Sequence, residues 1–259
     1  MGLLVENLYH RWPYFDLRTA TPAELRGAVE LAGVRLHHVR SRDLPLLVSL
    51  GFPHVRALSL SHLHMEDLRV LAVFPHLEDL EIWQSEDVQS LAGLERVRGL
   101  RSLSLFELGI LPTLEPIAAL SHLEELLLAG GVWKHQKLAC DLGPLAELRE
   151  LKKLALHNVR GATDFGPLLG FNRLVWLDVA TALFPVEEVA RLAKRYPFWA
   201  KQRPWLRSHD YAETKCERCG GGQVLLLLRR KKAVWCPSCD TARLQKTLRA
   251  FEALFEEQG

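Results

Sequence analysis

The stretch Val55-Arg-Ala-Leu58-Ser-Leu60 is repeated through the middle of the chain. Copies with Leu, Val or Ile at the three apolar positions begin at Leu31, Val55, Leu77, Leu100, Leu123, Leu151 and Leu174. Their starts are separated by 24, 22, 23, 23, 28 and 23 residues. Alternation along an extended strand places Leu58 and Leu60 on one face, so each copy predicts a short strand with an apolar face. A fixed period of this length predicts stacked repeats.

A second apolar series follows these strands, with its members three residues apart. It is seen in Leu44, Leu47, Leu50; Leu68, Leu71, Phe74; and Leu142, Leu145, Leu148. This spacing predicts short helices or 3₁₀ turns with one face toward the same core. Side chains that can cap free N–H groups stand before such segments at Asp43, Asp67, Ser90, Asp141 and Asp164.

The pattern L-x-x-L-x-L resembles the leucine-rich repeat family, and Gly143-Pro144-Leu145 and Gly166-Pro167-Leu168 are similar to its short internalin-type repeat. The resemblance covers residues 31–193 and implies an α/β solenoid with parallel strands on the concave face and short helices or 3₁₀ turns on the convex face. The family usually has Asn three residues after the last strand leucine, where its amide satisfies the bend. This chain instead has Leu63, Ser85, Leu108, Gly131, Val159 and Ala182. We therefore expect other groups to satisfy these bends.

The ends of a solenoid expose apolar faces that need covering. We therefore predict an N-terminal cap in residues 1–30, repeats in 31–193, a C-terminal cap or linker in 194–210, and a zinc ribbon with a C-terminal helix in 211–259. Thr21-Pro22-Ala23-Glu24 has the form of a capping box and predicts a helix from Ala23 to Leu31. The aromatic and basic residues of 194–207 suit a cap, with single-stranded nucleic acid binding as the alternative.

Cys216 and Cys219 form one C-x₂-C pair, and Cys236 and Cys239 form a second pair sixteen residues further on. This spacing is typical of a ribbon in which four thiolates surround one Zn²⁺ ion. Four protein ligands leave no open position, so the predicted Zn²⁺ is structural. Residues 224–228 and 233–235 are predicted as the two strands of its hairpin. Four reduced structural cysteines are the alternative, and the isolated Cys140 is expected only to pack.

Charge is divided unevenly along a chain whose formal net charge is +2. Residues 194–259 contain fourteen Lys and Arg against seven Asp and Glu, so residues 1–193 carry −5. The hairpin tip holds Arg229, Arg230, Lys231 and Lys232, which are candidate phosphate contacts. Nucleic-acid association through the ribbon and basic linker is therefore the alternative function.

The sequence contains no recognisable Gly-rich phosphate loop, H-E-x-x-H or G-x-S-x-G motif, so we do not expect an enzyme or a small-molecule substrate. His54, His76 and His122 each precede a strand and predict a surface ladder produced by the repeat. The N-terminus lacks the features of a signal peptide, and the longest apolar runs are too short to span a bilayer. A cytoplasmic protein without membrane attachment is the expectation.

Residues between the strand leucines are predicted to face outward on the concave sheet. They include candidate contacts for a protein partner at Asp79, Glu81, Trp83, Phe106, Glu125, Lys153, His157, Trp176 and Asp178. Trp83 and Phe106 are expected side by side on adjacent strands, where aromatic anchors with a charged rim favour a protein interface. The inserted residues 130–137 predict a loop that presents Trp133. The alternatives are that a cap or tail covers the aromatic pair and that Trp133 packs on its own repeat. The leading function is thus an adaptor that binds a protein with a basic segment.

Overall fold

The computed structural model describes residues 12–131, 135–162, 164–181, 184–208, 215–226 and 233–256. Its strands are β1 (Tyr14–Asp16), β2 (Gly33–His37), β3 (Ala57–Ser61), β4 (Asp79–Ser85), β5 (Ser102–Leu108), β6 (Glu125–Ala129), β7 (Gln136–Lys137), β8 (Lys153–His157), β9 (Val159–Arg160), β10 (Trp176–Val179), β11 (Leu206–Ser208), β12 (Val224–Leu226) and β13 (Ala233–Trp235). Its helices are α1 (Pro22–Ala28), α2 (Leu44–Leu50), α3 (Glu115–Ala118), α4 (Val186–Arg195), α5 (Pro197–Ala200) and α6 (Thr241–Glu256). No described helix is long and apolar enough to cross a membrane.

The repeated strands form one eight-stranded sheet in the order β1-β2-β3-β4-β5-β6-β8-β10. Neighbouring strands from β1 to β8 are parallel, and equivalent repeat positions pair with one another. This register stacks one buried column of Val34, Leu58, Leu80, Leu103, Leu126 and Leu154. Because no single repeat can bury these side chains, the core exists only through stacking.

Short helical segments lie between the strands, as the three-residue spacing predicts. They are α2, α3 and the 3₁₀ segments Ser41–Asp43, Arg69–Val73, Leu94–Arg96, Gly143–Glu147 and Gly166–Gly170. Each longer segment buries an apolar residue, such as Leu47, Leu71 or Leu145. Parallel strands alternating with these segments confirm the predicted leucine-rich-repeat solenoid.

Side-chain caps precede most of these segments. Asp67 accepts from the backbone N–H of Arg69 at 3.1 Å, and Ser90, Asp141 and Asp164 each accept from the N–H two residues later. Asp43 differs, because its carboxylate accepts from the preceding N–H of Arg40 at 2.8 Å. Side chains thus satisfy free N–H groups locally at four of these entries into a helical segment.

The N-terminal region contains the predicted capping box, in which Thr21 and Glu24 bond to each other's backbone N–H. The helix is shorter than predicted and ends at Ala28. The sequence did not indicate β1, which adds a parallel strand to β2. Trp12 covers Gly33 so closely that a Cβ there would lie 2.4 Å from the indole ring. Gly33 is therefore required for this aromatic residue to cover the first repeat.

Side chains from the following turn satisfy the bends that lack the family's Asn. The Ser85 hydroxyl accepts from the Leu63 N–H at 3.0 Å. The buried amide of Gln136 accepts from the Leu108 N–H at 3.0 Å and donates to the Gly109 carbonyl at 2.9 Å. The inserted residues therefore do not form only a loop, since Gln136–Lys137 are strand β7 and pair with β9. Trp133 lies outside the described residues.

The chain divides into two compact units, residues 1–162 with 170–177 and residues 163–169 with 178–259. In the second unit, β11, β12 and β13 form an antiparallel sheet. Trp205 packs edge-on against Phe251 of α6, with ring centroids 4.7 Å apart, and α4 lies against the same helix. Residues 206–208, assigned from sequence to a linker, therefore belong to the sheet that supports the cysteine pairs.

Candidate functional site

The four cysteines of the two C-x₂-C pairs come together in the second unit. Their sulfur atoms all lie within 4.8 Å of one another. The sulfurs of Cys216 and Cys239 are 3.8 Å apart, and those of Cys219 and Cys236 are 3.5 Å apart. A tetrahedral ion with Zn–S bonds of about 2.3 Å requires sulfur separations of about 3.8 Å. The four side chains therefore fit one tetrahedral metal ion.

Backbone turns prepare the first pair for this role. The Cys216 N–H donates to the Gly221 carbonyl at 2.9 Å, and Gly220 adopts a positive φ of 68° where the turn closes. Backbone N–H groups of Arg218 and Cys219 lower the pKa of the Cys216 thiol to about 6. Hydrogen bonding with Cys219, together with burial, raises the pKa of Cys239 to about 12. A bound cation would stabilise the thiolate forms that metal ligation requires.

An ion pair that sequence reasoning missed links the two cysteine turns. Arg218, inside the first pair, donates to Asp240 at 2.6 Å, immediately after the second pair. The other carboxylate oxygen of Asp240 accepts from the Cys236 N–H at 2.9 Å. Asp240 therefore holds the backbone of one turn and the side chain of the other. The only indication of this role in the sequence is that Asp240 directly follows Cys239.

The predicted aromatic pair is present on the sheet of the first unit. Trp83 on β4 and Phe106 on β5 are register partners, and their tilted ring centroids are 4.6 Å apart. Both side chains are partly exposed. The corresponding residues of β3 and β6 are Ser61 and Ala129. The two aromatic rings thus lie between small neighbours.

Glu81 does not provide the exposed charge expected of it. It lies on the outward side of β4 between its register partners Ser59 and Ser104, but its relative exposure is 0%. Burial raises the pKa of its carboxyl, and the Trp83 and Ser59 side chains offset this only in part. The residue was expected at an interface rim because strand alternation predicts its direction. Alternation does not predict how deeply the two flanking strands enclose it.

The other predicted contacts remain partly accessible. Lys153 and Glu125, on adjacent strands, form an ion pair at 2.6 Å and neutralise each other. Asp79 is partly exposed on β4, as are His157 on β8 and Trp176 and Asp178 on β10. The basic residues 229–232 lie outside the described residues, as does Trp133.

Two groups of three histidines are seen among the described residues. His54, His76 and His122 are exposed before their strands, and His54 lies 3.6 Å from Glu30. A second set, which the sequence analysis did not identify, brings His37, His38 and His62 together at the ends of β2 and β3. His37 and His38 belong to one repeat and His62 to the next, so only the stacking of neighbouring turns reveals the group.

No family model and no curated protein matches the chain. Among solved structures, it is similar to the internalin InlF of Listeria monocytogenes, with 15% identity over 65% of this chain and 54% of that one and a TM-score of 0.45. It is also similar to internalin C2 of that organism, with 20% identity over 60% and 66% of the chains and a TM-score of 0.46. A leucine-rich-repeat protein of Leptospira interrogans gives 16% identity over 68% and 56% and a TM-score of 0.38.

The chain spans between 54% and 66% of the length of these three proteins. The strand register and the buried leucine column define its class independently of them. The chain is a leucine-rich-repeat solenoid that carries a C-terminal cluster of four cysteines.

Proposed function

We propose that the solenoid is the recognition module of a non-enzymatic, cytoplasmic adaptor that binds a protein partner on its concave face. The observation that carries this proposal is the Trp83–Phe106 pair, with centroids 4.6 Å apart on outward-facing positions of two adjacent strands. A strand face needs no large aromatic side chains for its own pairing. Partly exposed aromatic residues are enriched among the side chains that dominate binding energy in protein interfaces.

The charges near this pair favour a partner with a basic segment. Asp79 precedes Trp83 on the same strand, and Glu86 and Glu107 lie just beyond the aromatic positions of β4 and β5. Glu125 contributes less, because Lys153 is already its ion-pair partner. An acidic border attracts and orients a basic peptide, although exposed charges contribute more to association rate than to affinity.

The decisive experiment is affinity purification from the native source with wild-type protein and with the Trp83→Ala, Phe106→Ala variant, followed by affinity measurement with the purified partner. We expect loss of the partner from the variant and a reduction in affinity of about 2 kcal/mol or more. Phe198→Ala is the control, since Phe198 is a partly exposed aromatic residue of the other compact unit. An unchanged affinity of the double variant would exclude this surface.

We also propose that the four cysteines bind one structural Zn²⁺ ion. The sulfur separations of 3.5 and 3.8 Å support a tetrahedral ion, and four protein ligands leave no position for a substrate. Elemental analysis of protein purified without chelators is expected to give one zinc per chain at these residues. Reproducible purification of folded protein without metal would contradict the assignment.

A nucleic-acid role for the second unit is the alternative. The basic residues Arg229, Arg230, Lys231 and Lys232 stand in the sequence between strands β12 and β13, which pair with each other. Such a run can neutralise phosphates, and binding should then weaken steeply with salt. Replacement of all four residues by Ala should abolish salt-sensitive binding to DNA or RNA. Wild-type protein that binds neither polymer at low salt would remove this alternative.

A further inference from the structure

Four imidazole rings meet at the edge of the first two turns of the solenoid. The rings of His38 and His62 are stacked, with centroids 4.8 Å apart and planes 10° from parallel. The ring of His64 also lies nearly parallel to that of His38, with the two centroids 5.7 Å apart. His37 lies edge-on to His62 at 5.7 Å. We name His37, His38, His62 and His64 the histidine edge.

Three of these rings have nitrogen atoms close enough to share one ion, and His64, outside that close set, contacts His38. One ring nitrogen from each of His37, His38 and His62 lies within 4.8 Å of the others. Nδ1 of His38 and Nε2 of His64 are 3.4 Å apart. Two imidazoles on a tetrahedral ion with bonds of about 2.05 Å have nitrogens about 3.3 Å apart. The His38–His64 nitrogens are about this far apart and face each other, so an ion would take the place of the hydrogen bond between them.

A carboxylate fixes the orientation of one ring. Oδ2 of Asp87 lies 2.9 Å from Nδ1 of His64. When Nδ1 donates its proton to this carboxylate, Nε2 is left with a lone pair directed toward His38. A carboxylate on the remote nitrogen of a histidine is the usual outer support of a metal-binding imidazole, because it sets the tautomer and strengthens the ligand.

Charged groups of both signs lie near the histidine edge, because Arg35 acts electrostatically on His37 and Arg18 on His38, whereas carboxylates border His62 and His64. A groove of about 380 Å³ beside the histidine edge is lined by His62 and His64 and by three carboxylates, Glu86, Asp87 and Glu107.

The backbone geometry comes from the repeat, but the chemistry is confined to these turns. His38 and His62 adopt positive φ angles of 56° and 52°, and so do Gln84, Glu107 and Asn158 at equivalent positions of later repeats. The conformation is therefore no sign of a ligand by itself. It aligns the side chains of successive repeats in one column, and only the first two of these positions carry imidazole.

We propose that the histidine edge is a second metal site, distinct from the cysteine cluster, that binds one divalent transition-metal ion of the imidazole-preferring class of Zn²⁺, Ni²⁺ and Cu²⁺. His37, His38 and His62 supply ligands, and His64 completes the set with Asp87 as its outer partner. The proposed metal site lies at the first turns of the solenoid. It does not depend on the proposed partner surface being correct.

The test is calorimetric titration of the full chain with Ni²⁺ at pH 7.5, after a single equivalent of Zn²⁺ has been bound at the cysteine cluster, with native mass spectrometry to count the bound ions. We expect wild-type protein to bind one Ni²⁺ in addition to one Zn²⁺. The His38→Gln, His62→Gln variant should bind Ni²⁺ at least about thirtyfold more weakly, and Asp87→Asn about tenfold more weakly. Gln is a conservative choice because Gln84 occupies the equivalent position of the next repeat with a similar backbone conformation.

The control replaces the same kind of residue elsewhere on the solenoid. A His54→Gln, His76→Gln, His122→Gln variant removes three exposed histidines and should bind Ni²⁺ as tightly as wild type. Circular dichroism establishes that each variant is folded, and Asp87→Asn, at an exposed side chain, provides a readout if the double variant unfolds. Absence of a 1:1 Ni²⁺ complex in the wild type would overturn the proposal. Equal affinities of wild type and both histidine-edge variants, or an equal loss in the control, would also overturn it.

Discussion

The solenoid and the cysteine cluster achieve order in opposite ways. In the solenoid, each turn buries a few leucines against its neighbours, and columns such as Leu58, Leu80 and Leu103 are wholly buried without any single residue dominating. In the second unit, three strands of three residues each support the cysteine pairs. Strands this short bury little apolar surface, and the proposed Zn²⁺ ion would contribute folding free energy directly.

This difference predicts that the two regions lose stability in different ways. The stability of a solenoid is a sum of contributions from single repeats and from contacts between neighbouring repeats. Loss of one contact therefore lowers the stability only by the contribution of that contact. A unit that depends on one ion loses its order when that ion is lost. Four experiments, described from the largest expected effect to the smallest, test whether this contrast holds.

Loss of one cysteine ligand should have the largest effect. Cys236→Ser is expected to abolish stoichiometric metal binding, which in structural zinc sites is worth about 10–16 kcal/mol. Hydrogen exchange should then accelerate in β11–β13, while β3–β6 remain protected. Cys140→Ser is the matched control, because Cys140 lies apart from the cluster, with its sulfur 3.8 Å from the Leu111 carbonyl. Full metal content in Cys236→Ser, or equal loss of protection in β3–β6, would contradict the contrast.

A leucine from the solenoid core should give the next largest effect. Leu105 on β5 is wholly buried, so Leu105→Ala should lower the free energy of unfolding by about 2–5 kcal/mol through lost burial and a new cavity. Metal content should not change. Denaturant unfolding measures the loss, and the exposed Val175→Ala should change stability by no more than about 0.5 kcal/mol. A loss of stability in Leu105→Ala as small as that of the control would show that burial of Leu105 does not stabilise the core.

The buried bend amide tests whether polar groups stabilise the stacking as well. Gln136→Ala removes the acceptor for the Leu108 N–H and a donor to the Gly109 carbonyl, which should cost about 1–3 kcal/mol. Thermal or denaturant unfolding provides the measurement. Gln89→Ala serves as the control, since the Gln89 side chain is exposed. Indistinguishable stabilities of the two variants would mean that the Leu108 N–H and the Gly109 carbonyl find other hydrogen-bond partners when Gln136 is replaced.

The smallest effect concerns Glu81, whose carboxyl is buried with a raised pKa. Because its pKa in the folded protein exceeds the ordinary value of 4.5, folding favours the protonated form, and its contribution to stability decreases as pH rises above 4.5. Glu81→Gln cannot ionise, so we expect it to be more stable than wild type at pH 7 by about 1 kcal/mol. The gain should vanish near pH 4. Chemical denaturation at both pH values measures it, and a Glu81→Gln protein that is less stable at pH 7 would refute the interpretation.

Some features followed from local sequence because their physical cause is local. The period of Leu58 and Leu60 predicts a strand face, and Thr21 and Glu24 predict a helix start through bonds three residues apart. The two C-x₂-C pairs predict their own turns for the same reason. Trp83 and Phe106 could be paired in advance because identical repeats stack in register.

Other features depended on residues that stacking brings together from neighbouring turns. Ser85 and Gln136 satisfy bends 22 and 28 positions earlier, and His38 and His64 of the histidine edge are 26 positions apart. The burial of Glu81 could not be predicted either, because alternation predicts the direction of its side chain but not that the flanking strands enclose it. The amino-acid sequence by itself thus determined the solenoid and the cysteine pairs, whose patterns arise within one repeat or one turn. Only the tertiary structure decided which polar side chains meet across turns, because small changes in repeat length from 22 to 28 residues set which side chains become neighbours.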